Sequence, residues 1–246
     1  MIPKADPASP QLLKLERNLA GRDFAVGDVH GSFSALQTGL DSIGFDPAVD
    51  RLLCCGDLVD RGPKSHLVEA WLDKSWFFSS LGNHDHMASE CALDVLGAIS
   101  NYDDMGGGWL ADLAAVDRIR IGERLRRLPL AIEVETSGGP VGLVHADFPT
   151  DDWKYIERPF LEDDRQICLW STIRFDRMYK ARVANVRALV HGHLILPVAH
   201  EIANVFFIDT GGWKFGLGHF TYLELESLNF CRGPGPDLPF KSRRNR

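Results

Sequence analysis

Short runs of consecutive apolar residues recur along the chain, each bounded by glycine or polar turn residues. Asp23–Val26, Leu52–Cys55, Phe77–Leu81, Val141–Val144, Ala188–Val190 and Val205–Ile208 have the length of strands buried on both faces. His219–Leu225 alternates apolar and polar positions, as a half-covered strand does. Between these runs the apolar spacing predicts helices over Phe33–Ile43, Ser65–Asp73, His86–Ile99 and Gly108–Val116. Strands interleaved with helices indicate an α/β layered fold. Residues 1–21 read as a leader, in which Pro3, Pro7 and Pro10 interrupt regular structure before a short helix over Leu12–Leu19. One domain is expected over residues 22–232, followed by a Pro- and Gly-rich basic tail, 233–246, of flexible character.

Composition narrows the class. The chain has 246 residues, 45% hydrophobic and 25% charged, which suits a folded protein with a sizeable core. A net charge of −7 argues against broad nucleic-acid binding, which depends on neutralising many phosphates. It leaves room for a single phosphate in a locally positive pocket. The arginines of Arg118–Arg127 read as a solvated helix face beside an acidic body. The five cysteines are irregularly spaced, without zinc-ligand or disulfide patterning, and Cys54 and Cys55 sit in an apolar run as small hydrophobes. No apolar stretch approaches a membrane span and the N-terminal residues lack a signal-type core. A cytoplasmic protein with no membrane or nucleic-acid partner is expected.

The candidate chemistry lies after the strands. The first run is followed by Gly27-Asp28-Val29-His30-Gly31, the second by Gly56-Asp57-Leu58-Val59-Asp60-Arg61-Gly62, and the third by Gly82-Asn83-His84-Asp85. Two later runs deliver His145 and Gly192-His193. In open α/β sheets ligands bind at the strands' C-terminal edge. Gly27, Gly56, Gly82 and Gly192 each directly precede a candidate ligand, where a residue without Cβ permits tight turns and close backbone approach. Asp28, His30, Asp57, Asn83, His145 and His193 form a mixed oxygen and nitrogen donor set without thiolate. Such a set suits Mn, Fe or Zn better than Ca or Cu(I). Two such ions about 3.5–4 Å apart clamp a phosphoryl group and acidify a water between them.

These motifs resemble those of the calcineurin-like metallophosphoesterases, and within them the phosphoprotein phosphatases of the bacterial and phage lambda type. The resemblance runs through GDxHG, GDxxDRG and GNH[ED], then His145 and Gly192-His193. Val144–Pro149, Gly107-Gly108-Trp109 and Phe207–Gly212 are also similar to that subgroup. It implies two packed mixed β-sheets flanked by helices. It implies that Asp28, His30 and Asp57 hold one divalent metal and that Asp57, Asn83, His145 and His193 hold the other, with Mn the expected metal and Fe or Zn the alternatives. By the same resemblance His84 is the general acid, Asp60 orients it, and Arg61 binds phosphate oxygens. A second phosphate-binding arginine belongs near Trp170, where Arg174 is the candidate and Arg177 the fallback. His191 stands where an apolar residue is usual and competes with His193 as a ligand, although the Gly-His order favours His193.

Three functions compete. A protein phosphatase acting on phosphoserine and phosphothreonine, with phosphotyrosine as an extension, is the first. The second is a diadenosine-tetraphosphate-type or other small-molecule phosphohydrolase. Such hydrolases commonly lack the acidic residue present here as Asp60, so Asp60 favours a phosphoprotein or phosphopeptide substrate. The third, a non-catalytic binding module, predicts decay of ligand positions, and none is missing.

Overall fold

The computed structural model describes residues 10–94, 101–214 and 216–234. In chain order the elements are β1 (Leu12–Leu15), β2 (Asp23–Val26), α1 (Phe33–Ser42), β3 (Arg51–Cys54), α2 (Val68–Leu72), β4 (Phe77–Ser79), α3 (Asn83–Ala92) and α4 (Ala115–Arg126). They continue with β5 (Ala131–Val134), β6 (Val141–Val144), α5 (Glu162–Trp170), α6 (Ile173–Asp176), β7 (Ala188–His191), β8 (His200–Ile202), β9 (Val205–Phe207), β10 (Thr221–Glu224) and β11 (Asn229–Arg232).

The strands form two mixed sheets, ordered β1-β5-β6-β7-β9-β8 and β11-β10-β2-β3-β4. Side chains alternate across each strand. Ala25, Leu53 and Leu223 from one sheet therefore meet Ile132, Leu143, Val190 and Phe206 from the other in a dry inter-sheet layer. Phe24, Val26, Leu52 and Cys54 point the other way, into a second apolar cluster with helix residues such as Leu36, Leu40 and Leu125. In α1 the buried Phe33, Leu36 and Leu40 follow helical spacing. α4 presses on α3 at Gly122, where an added Cβ would collide with Ala92. The architecture is the expected pair of packed mixed sheets flanked by helices. Among the described residues no helix is long and apolar enough to cross a membrane.

Several local expectations change. Residues 12–15 are strand, not helix, and β1 pairs in parallel with β5 through Leu12↔Ala131 to Leu15↔Val134. The stretch read as a leader thus supplies an edge strand. The helix expected over Gly108–Val116 is a short 3-10 turn, Gly107–Leu110, and regular helix begins at Ala115. α4 carries the arginine-rich stretch with Ile121 and Leu125 buried, while Arg120 pairs with Glu69 at 2.8 Å and Arg124 with Asp73 at 2.9 Å. It is a solvated, ion-paired face. Residues 95–100, which include the end of the helix expected over His86–Ile99, and the tail from 235 lie outside the described residues.

β2, β3 and β4 run parallel as neighbours, and so do β6 and β7 in the other sheet. Their C-terminal ends carry the motifs singled out above.

Candidate active site

Each strand end delivers its ligand through a tight loop. His30, Asp57, Asp60, Arg61 and His193 all have left-handed backbone, with φ of 44°, 52°, 71°, 63° and 60°. Such conformations cost about 1–3 kcal/mol each and persist only where surrounding structure enforces them. Enforcement is visible in the hydrogen bonds. The amides of Val29 and His30 both donate to the Asp57 carbonyl at 3.0 and 2.8 Å. Asp85 accepts from the amides of Leu58 at 2.9 Å and Gly82 at 3.1 Å, tying the β3 loop to the start of α3. Glycine is required at two of these crossings. A Cβ at Gly82 would strike Asp57, and one at Gly192 would strike the Asp28 carboxylate.

The side chains converge in two groups around Asp57. On one side, His30 Nε2 lies 3.4 Å from Asp57 Oδ2 and 3.9 Å from Asp28 Oδ2. On the other, His145 Nε2 lies 3.5 Å from Asp57 Oδ1, 2.7 Å from Asn83 Oδ1 and 3.1 Å from His193 Nδ1. The two oxygens of one carboxylate therefore face the two groups. His30 Nδ1 donates to the Val59 carbonyl and His145 Nδ1 to the Cys55 carbonyl, each at 2.8 Å. A carbonyl only accepts, so these bonds fix the tautomer and leave the Nε2 lone pairs facing inward. His193 Nδ1 is also 3.2 Å from Asn83 Oδ1, and its amide donates to Asp28 Oδ1 at 2.9 Å.

Lone pairs crowded in this way repel unless a cation sits among them. Burial, followed by neighbouring carboxylates, pushes the carboxyls of Asp28 and Asp57 well above the usual range. Burial also pushes the His30 and His145 imidazoles well below theirs and His193 down to about 4, so the rings are neutral donors. Asp209, pushed up to about 6 chiefly by burial, lies against Asp28, and its Oδ2 is buried with no hydrogen-bond partner among the described residues. A compact, buried set of neutral imidazoles, an amide oxygen and underused carboxylates fits two divalent cations. His30, Asp57 and His84 form one metal-capable cluster, and Asp57, His145 and His193 the other.

Beside this centre His84 Nδ1 bonds Asp60 Oδ2 at 2.7 Å. The other oxygen of Asp60 accepts from Tyr102 Oη at 2.6 Å and Trp109 Nε1 at 2.7 Å. Three donors converge on this buried carboxylate, which fixes the imidazole in place. Arg61 is exposed at the mouth, with Nη1 2.9 Å from His30 Nε2 and Nη2 2.7 Å from His84 Nε2. Tyr102, Trp109, Asp209 and Trp213 also contribute to the site, with no role assigned to them by the motifs. The runs Gly107-Gly108-Trp109 and Phe207–Gly212 were the available signals for two of them.

Two further candidates lie apart from the ligand clusters. His191 is absent from both metal-capable clusters: its Nδ1 donates to the Val144 carbonyl at 2.9 Å, its ring packs 5.5 Å from Phe207, and its Nε2 is buried with no hydrogen-bond partner among the described residues. Arg174 is not brought to the cluster either. It is buried, with Nε 3.3 Å from Asp147 Oδ1, Nη2 2.7 Å from Asp151 Oδ1 and its ring neighbour Tyr179 at 5.2 Å. The carboxylates downstream of His145 capture the guanidinium. Arg177 lines the same cavity of about 380 Å³ as Arg174, Ser171 and Tyr179. Arg174→Ala should therefore lower folding stability by about 3 kcal/mol, because Asp147 is left buried without its partner. A urea titration measures this; an unchanged midpoint with a raised KM would return Arg174 to the role of phosphate clamp.

Comparison with known proteins converges on one family. The calcineurin-like phosphoesterase family model matches residues 24–238. A Salmonella typhimurium protein named serine/threonine-protein phosphatase 2 is 31% identical over 209 residues, covering 82% of this chain and 92% of its own. A Methylococcus capsulatus protein named symmetrical bis(5'-nucleosyl)-tetraphosphatase is 36% identical over 136 residues, covering 51% of this chain and 43% of its own. In structure, a Saccharomyces cerevisiae protein serine/threonine phosphatase superposes with a TM-score of 0.65 at 15% identity, covering 94% of this chain and 86% of the other, which bears on fold alone.

Proposed function

This chain belongs to the calcineurin-like phosphoesterases and is a phosphoester hydrolase, and from that premise we propose that it is a protein phosphatase acting on phosphoserine and phosphothreonine. The observation that carries the proposal is the His84–Asp60 pair, with Asp60 saturated by Tyr102 and Trp109. A serine or threonine alkoxide is a poor leaving group and needs a proton as the ester bond breaks. A histidine held by a fixed carboxylate is suited to give it. The phosphatase relative matches along 92% of its length, whereas the tetraphosphatase relative matches along 43%, which supports the same choice.

In this reading Asp28, His30 and Asp57 would hold one divalent cation, and Asp57, Asn83, His145 and His193 the other, with manganese the proposed metal. When bound, the cations supply Lewis acidity to the phosphoryl oxygens and to the attacking water. The protein does the rest. Asp57 spaces the two half-sites through its two oxygens. Arg61 presents its fork, which here meets the rings of His30 and His84, to the phosphoryl oxygens. His84 Nε2 carries the proton toward the leaving oxygen while Nδ1 stays on Asp60. We place the protein in the cytoplasm, where its buried thiols Cys54, Cys55 and Cys168 stay reduced.

The test is a side-by-side assay. Protein stripped with chelator and reloaded with Mn should hydrolyse p-nitrophenyl phosphate and phosphoserine peptides. Preference for diadenosine tetraphosphate would replace the proposal with the small-molecule reading. No metal-dependent turnover of any phosphoester would overturn it.

A further inference from the structure

The turn after β9 runs Asp209-Thr210-Gly211-Gly212-Trp213-Lys214 and is tightly fixed. Asp209 Oδ1 accepts from the Gly211 amide at 2.9 Å, Gly211 has φ of 66°, and the Lys214 amide donates to the Gly211 carbonyl at 2.8 Å. A Cβ at Gly212 would run into the Phe220 ring, so the turn lies flat on the strand beyond it. This geometry delivers the Trp213 indole to the active-site mouth. The Arg61 guanidinium carbon sits 4.8 Å from its ring centroid, and the His30 ring meets it edge-on at 4.8 Å. The Lys214 ammonium is also over the ring, at 5.5 Å.

Trp213 belongs to neither apolar core cluster. Its indole N–H is buried with no acceptor among the described residues. The ring contacts of this large aromatic fall on Arg61, His30 and Lys214. Arg61 is exposed, and a free arginine at a surface samples many rotamers, which weakens any bidentate clamp. A ring face under the guanidinium removes that freedom, and cation–π attraction adds to it.

We propose that Trp213 is a positioning residue for phosphate recognition: its ring fixes the plane of the Arg61 guanidinium so that both terminal N–H groups converge on the phosphoryl group. The proposal rests on the reading of Arg61 as the phosphate clamp.

The test uses the Mn-loaded full chain with p-nitrophenyl phosphate, and inorganic phosphate as competitive inhibitor. Trp213→Leu should raise KM and the phosphate Ki together by about fivefold, with kcat changed less. Trp213→Phe, which keeps a ring face, should stay within about twofold of the parent. In an Arg61→Ala background, Trp213→Leu should add nothing. Should the leucine variant fail to fold, Trp213→Met takes its place. An unchanged Ki in Trp213→Leu would overturn the proposal while leaving Arg61 as the clamp. So would a phenylalanine variant as impaired as the leucine one, or an undiminished effect in the Arg61→Ala background. Arg61→Ala with an unchanged Ki would remove the clamp reading itself, and the role of Trp213 with it.

Discussion

Asp57→Asn should abolish metal retention and turnover in one step, lowering kcat/KM by at least about 10³-fold. The substitution is nearly isosteric. It keeps the acceptor for the His84 amide, which reaches Asp57 Oδ1 at 2.9 Å. It removes a carboxylate whose two oxygens face the inward nitrogens of both ligand groups, at 3.4 Å from His30 and 3.5 Å from His145. An amide offers a single neutral oxygen and cannot serve both sides. Burial and the nearby carboxylate of Asp85 hold the Asp57 carboxyl well above its usual range, so its charge strains the metal-stripped protein. The stripped variant should therefore melt no lower than the stripped parent, and added Mn should no longer raise its melting temperature. Metal analysis after desalting and paired melting curves with and without Mn check both halves. A variant that keeps two metals per chain would show that Asp57 does not bridge.

His84→Asn should separate substrates by leaving group. On a phosphoserine peptide the loss should be about 10²–10⁴-fold, the range for a missing general acid. On p-nitrophenyl phosphate, whose leaving group departs without a proton, it should be within about tenfold. Asparagine is small enough for the pocket and leaves Asp60 bonded to Tyr102 and Trp109. Rates on the two substrates, each at saturating Mn, give the answer. Equal losses would mean that His84 holds metal or water instead, a role its place in the cluster with His30 and Asp57 would allow.

The site was legible because its chemistry is local in sequence. Each Gly-ligand step sits within a few residues of a buried strand, and a strand's continuous apolar run shows without any partner. Asp28, His30, Asp57, Asn83, His145 and His193 are brought together as their motifs implied. What escaped depends on long-range pairing. Leu12–Leu15 becomes strand only because β5, more than a hundred residues on, supplies its hydrogen bonds. Gly106 and Gly107 look like weak helix formers, yet they are there for close approach to Arg61 and Tyr102, and helix starts only past them. Arg174 was placed by its spacing from Trp170. Spacing does not reveal that Asp147 and Asp151 lie within reach and take up its charge. Trp213 escaped because nothing in its own neighbourhood announces the arginine it stacks on, which belongs to a distant loop.

The left-handed backbone at the strand ends bears on how such a centre can drift over generations. Outside glycine, the side chains that tolerate this conformation best are Asn, Asp and His. These are also residues that bind first-row metals. At His30, Asp57 and His193 the two filters admit nearly the same small alphabet. A neutral walk through sequence there stays among metal ligands, since residues with bulkier or β-branched side chains are rejected by the loop before the metal is consulted. Arg61, also left-handed, falls outside that alphabet and is held by its contacts with His30, His84 and Trp213.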